Sequence, residues 1–128
     1  MRRATIACCT LLAACGGPRA ERDYTTPERA AWSFVEAGRI GDLDGVREAL
    51  VAAERGQDVH CDYSDLGAYE LVRDRELDED HVVVVLQTGR VRVPLACVSE
   101  GGRWGVSIHA SLALLRQMLD DEVAPAPR

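Results

Sequence analysis

Apolar and polar positions fall into three successive patterns along this chain. From Ala4 to Ala14 the run is uncharged and mostly apolar, and Gly16-Gly17-Pro18 halts it. About ten such residues are too few to span a bilayer as a helix. From residue 26 onward the spacing becomes helical. Thr26 is placed to cap, Pro27 fits the first helical position, and Glu28 suits a first turn whose free amides favour a carboxylate. Ala31, Phe34, Val35 and Gly38 then share one face with Trp32 at its flank, and Arg29, Glu36 and Arg39 fall outside it. After Gly41, Asp42 is placed to cap a second helix with the stripe Leu43, Val46, Ala49, Leu50 and Ala53, ended by Gly56. The period then changes to two. Short strands are expected at 59–63 and 69–77, with Tyr69, Leu71, Arg73 and Arg75 on one face of the latter. The clearest strand signal, Val82 to Leu86, is followed by Val91 to Val98 and by Arg103 to Ile108. Pro94 has no amide to donate, so it belongs at a bulge or an edge. A last helix is expected over 110–121, with Leu112, Leu115, Met118 and Leu119 on one face.

This order predicts an α+β domain, an N-terminal αα-hairpin packed on a curved antiparallel sheet of about four strands, with an extra C-terminal helix. The domain spans 26–121, and the tail 122–128, rich in Ala and Pro, is expected to be disordered.

The apolar run acquires a meaning from its flanks. Met1-Arg2-Arg3 supplies a charged start, and Leu12-Ala13-Ala14-Cys15 has the order of a lipobox. The segment resembles a bacterial lipoprotein export signal. The resemblance implies a signal peptide over 1–14, cleavage before Cys15, acylation of that thiol, and a tether over 15–25. Several acyl chains, each methylene contributing about 0.8 kcal/mol, make a durable membrane anchor. Gly16, in place of aspartate after the acylated cysteine, implies the periplasmic face of the outer membrane if the host is Gram-negative.

Charge narrows the partners. Removal of Arg2 and Arg3 leaves 13 arginines against 21 carboxylates, a formal charge of −8 with the histidines neutral. Such an acidic surface argues against nucleic acid and anionic lipid headgroups as partners. Cys61 and Cys97 are candidates for one disulfide in an exported chain, the alternative being two small thiols that never meet. Their spacing fits no metal or redox motif, and nothing points to a cofactor or a metal.

The residues Thr26-Pro27-Glu28, Phe34-Val35-Glu36-Ala37, Gly41-Asp42-Leu43-Asp44 and Gly101-Gly102-Arg103-Trp104-Gly105-Val106 together resemble the nuclear-transport-factor-2-like superfamily, in particular its small exported lipoproteins. The resemblance covers roughly residues 26–108. It implies a cone of sheet and helix whose interior is a ligand pocket in some relatives and a filled core in others. Enzymes of that superfamily, among them ketosteroid isomerase and polyketide cyclases, place carboxylates, Tyr or His inside the cone.

The nearest catalytic candidates here are His60, Asp62 and Tyr63. On a strand, His60 and Asp62 share a face and can form an orienting pair or part of a metal site, or else a solvated edge. His81, Tyr69 and His109 are further candidates. Asp78-Glu79-Asp80 offers too few directed oxygens for Ca²⁺, and Arg73, Arg75, Arg90 and Arg92 either receive an anion or form a salt-bridged surface. Without a catalytic constellation, the expectation is a lipid-anchored envelope domain that binds a protein partner or small ligand. The alternative is an isomerase- or cyclase-like enzyme acting in the cone.

Overall fold

The computed structural model describes residues 17–59 and 61–123. The expected signal peptide, Cys15, His60 and the end of the tail lie outside the described residues. Thr26 caps α1 (Pro27–Ile40) by accepting the Arg29 amide at 3.1 Å, and Gly41 closes it in the left-handed conformation at φ 78°. Asp42 caps α2 (Leu43–Ala49) through Gly45. A 3₁₀ turn follows at Ala52–Glu54.

Four strands, β1 (Glu70–Asp78), β2 (His81–Thr88), β3 (Val91–Glu100) and β4 (Arg103–Ser107), pair in chain order as an antiparallel meander, and the sheet is not closed. Gly101 and Gly102, both at positive φ, form the two-residue turn between β3 and β4. The helix α3 (Ile108–Val123) ends the described chain and includes two residues assigned above to the tail.

The predicted α+β architecture is present, and its two helical layers explain why β2 is apolar without alternation. Val82, Val84 and Leu86 face the α1–α2 hairpin, where Phe34, Val35, Val46, Leu50, Leu95 and Val106 complete the core. Val83 is also buried and lies with Ala96 under α3. A central strand covered on both faces needs no polar side. Pro94 pairs with Val85 in regular register, and the β4 pairing begins only at Ala96, so Pro94 occupies a stretch of β3 with a free edge.

Several local expectations differ from the structure. No strand forms at 61–63, where the chain turns instead. The second helix stops at Ala49 because Leu50 leaves it in extended conformation to bridge Val106. Ala53 therefore lies beyond the helix and is exposed, and Leu43, at its first position, is exposed as well. Gly105 permits that approach, since a Cβ there would lie 3.1 Å from the Val51 nitrogen. A β-bulge at Asp74 turns Arg75 to the face opposite Arg73.

Part of the expected tether is held against the domain. The Ala20 amide donates to Asp42 Oδ2 at 2.9 Å, Arg22 pairs with Asp42 and Glu48, and the Asp23 amide donates to Ser33 Oγ. The Tyr24 carbonyl accepts from the Trp104 amide, while Arg103 lies 4.0 Å from the centre of the Tyr24 ring.

Candidate functional site

His60 lies outside the described residues, and the other residues expected to carry proton transfer do not converge. Asp62 is exposed and accepts the Ser64 amide at 2.9 Å, and hydrogen bonding to Ser64 holds its carboxyl below the usual range. Tyr63 packs edge-on against Phe34 at 6.0 Å and covers Gly38, and burial pushes its phenol up to about 12. It works as a cover for the core. His81 pairs with Asp78 within the β1–β2 turn, and His109 contacts Gln57, both at the surface. The Asp80 amide also donates to Asp78, so that acidic turn is bound up in its own hydrogen bonds. Among the described residues, no group of three or more His, Cys, Asp or Glu is placed to hold a metal ion.

The arginines divide as well. Arg73 bridges Glu28 and Glu76, and Arg92 lies 3.8 Å from Asp74, which makes a salt-bridged surface rather than an anion cradle. Cys61 and Cys97 are free thiols. Cys97 Sγ lies 3.6 Å from the Pro27 carbonyl at the start of α1, whereas Cys61 sits against Gly38 near its end. Eleven helical steps separate those positions by roughly 16 Å, so the bridge left open by the sequence is not formed. Burial raises both thiols, Cys97 to about 12.

Among the described residues, two apolar clefts flank α3 outside the packed core. One of about 230 Å³ runs between α3 and the sheet, lined by Leu77, Val83, Ala96, Ala113 and Leu114 among others. A second, of about 220 Å³, lies on the other flank of α3 beside Cys61, Tyr63, Pro94, Leu112 and Leu115. The helix between them buries only Ser111, leaving Leu112 and Leu119 about half exposed at 53% and 52%. The chain matches no family model, no curated protein and no solved structure among those compared with it.

A polar cleft opens where α1 meets the start of β1, lined by Trp32, Glu36, Arg39, Leu66 and Tyr69. Tyr69 donates to Glu36 Oε2 at 2.5 Å, and Arg39 grips both oxygens of the same carboxylate at 2.9 Å. Arg39 holds Glu36 below its usual range, while burial and the bond to Glu36 raise Tyr69. Both shifts run away from neutrality, opposite to the tuning that acid–base catalysis needs. This cluster can orient a ligand, but it is not set to exchange protons with one. Glu36 and Tyr69 were separated by 33 residues in the sequence, with no local signal to join them.

Proposed function

We propose that this chain is a lipid-anchored protein of the bacterial envelope that acts by binding a protein partner, through the side of α3 that carries Leu112 and Leu119. The observation that carries this reading is the division of apolar side chains between core and surface. The space under the helical hairpin is filled by Phe34, Val35 and Leu86, while Leu112 and Leu119 of α3 stay outside and Leu114 and Leu115 are half-buried. Apolar groups left next to open clefts on an otherwise acidic surface suit a partner's apolar face.

The lipobox supports anchorage, and Gly16 supports outer-membrane delivery in a Gram-negative host. A hairpin followed by a four-stranded meander supports kinship with the nuclear-transport-factor-2-like superfamily. An isomerase or cyclase would need acid–base groups converging on an open interior, and the filled interior gives that alternative no support.

Photo-crosslinking in intact cells tests the binding face. A photoreactive amino acid at Leu112 or Leu119 should capture one common partner, absent when it is placed at exposed Arg90. Capture from all three positions alike would refute the assignment to α3. Cys15→Ser should lose acyl labelling and membrane association, and retention of both would refute the anchor.

A further inference from the structure

We infer that the tip of the α1–α2 hairpin lies directly on the bilayer surface, held there by an anchor with almost no free tether. This rests on acylation at Cys15, the anchor part of the reading above.

The argument begins with chain length. Ala20 is fixed to the cap of α2 through Asp42 Oδ2, and Arg22 is fixed beside it to Asp42 and Glu48. Only residues 16–19 separate the acylated position from that attachment. Fully extended, five steps of the chain reach at most about 17 Å. The polar headgroup layer of one leaflet takes up about 6 Å of that distance. The Gly41–Asp44 corner therefore cannot leave the neighbourhood of the membrane unless the segment around Ala20 peels away.

The chemistry of that corner suits such a position. Arg19, Arg22, Asp42, Asp44, Arg47 and Glu48 border one polar groove of about 400 Å³. Arg22 is taken up by Asp42 and Glu48; Asp44 is exposed without an ion pair among the described residues, and, against the acidic balance of the chain as a whole, so are Arg19 and Arg47. These two arginines remain available to lipid phosphates, which guanidinium groups bind well. Leu43, 59% exposed at the same corner, adds an apolar side chain at interfacial depth. The opposite layer, α3, lies across the sheet from the hairpin. Leu119, near the C-terminal end of α3, is the comparison site on that opposite layer.

Depth-dependent quenching on the full-length acylated protein tests this placement. A fluorescent amino acid is introduced at Leu43 or at Leu119, and the protein is reconstituted in vesicles of phosphatidylethanolamine and phosphatidylglycerol carrying headgroup-level nitroxide lipids. Quenching at Leu43 should exceed that at Leu119 by roughly threefold or more. A Gly/Ser insert of about 20 residues after Gly17 should bring the two close together. Equal quenching at the two sites in protein shown by intact mass to be acylated would overturn the placement while leaving the anchor intact. Undiminished quenching at Leu43 after the insertion would overturn the role of the short tether. A chain whose mass shows no acyl groups would overturn the anchor reading and this inference with it.

Discussion

The Glu54 carboxylate, buried at the end of the 3₁₀ turn, accepts the Ile108 amide at 2.6 Å and so caps a helix that begins 54 residues later in the chain. Its second oxygen accepts from Ser107 Oγ at 2.7 Å. Free amides and the positive end of the helix dipole stabilise a carboxylate at this position, and Glu54 fixes the direction in which α3 leaves β4. Glu54→Ala should therefore cost about 2 kcal/mol by leaving buried donors unpaired. Urea denaturation should show a lower midpoint, with amide exchange rising first in the opening turn of α3. Glu54→Gln, which retains one acceptor oxygen, should lose less.

Asp42 links the N-terminal segment to folding through pH. Burial alone would raise its carboxyl, but the amides of Ala20 and Gly45 together with Arg22 outweigh that and hold it below the ordinary value. A group whose folded pKa is depressed stabilises the fold fully above its unfolded value, near 3.9, and the contribution is lost as pH falls through the folded pKa. The stabilisation from Asp42 should thus be full and independent of pH near neutrality and should be lost below about pH 4. Limited proteolysis after Arg19 and Arg22 should accelerate over the same acid range. Asp42→Asn should accelerate it at pH 7 as well, since the amide side chain loses the charge that Arg22 pairs with.

Gly105 is required by the close approach of two backbones. A Cβ there would meet the Val51 nitrogen at 3.1 Å and the Leu50 carbonyl group at 3.2 Å, and neither atom can swing aside as a side-chain end would. The Val51 amide is also bonded to the Val106 carbonyl at 3.0 Å. Gly105→Ala should lower stability by about 1–3 kcal/mol, as overpacking of a tight site does. Gly56→Ala, with open space around its Cβ, is the matched control and should be near neutral. Thermal unfolding of the two variants separates the effects.

The elements that local chemistry determines were legible in the sequence. Thr26, Pro27 and Asp42 marked the helix starts. The apolar block from Val82 to Leu86 marked a central strand. What escaped is what depends on contacts distant in sequence. Nothing near Glu54 announces a cap for Ile108, and nothing near Ala20 announces its attachment to Asp42. The stretch around Asp62 alternates enough to suggest a strand, yet it lacks a partner strand: Asp62 bonds within the turn and the Tyr63 amide donates to the Gly38 carbonyl of α1. The same physics accounts for the candidate site: Asp62 and Tyr63 are adjacent in sequence but serve a turn and a core cover, while Glu36 and Tyr69 meet only because β1 starts beside α1.

The last helix inverts the usual rule, and that inversion is open to a direct comparison. Ser111 is the buried residue of α3: its hydroxyl donates to the Ser107 carbonyl at 2.6 Å and accepts the Ala96 amide at 2.8 Å. It completes the hydrogen bonding of β3 at the point where β4 ends. Ser111→Ala should leave the Ala96 amide buried and unpaired, at a cost of about 1–3 kcal/mol. Leu112 and Leu119 occupy the positions that periodicity assigns to the core, yet they are half exposed. Leu112→Glu and Leu119→Glu should accordingly change stability by only about 0.5 kcal/mol. Chemical denaturation of the three variants should therefore rank the serine above either leucine. If the leucine variants unfold as readily as the serine variant, α3 packs more deeply in solution and its apolar side is core rather than binding surface.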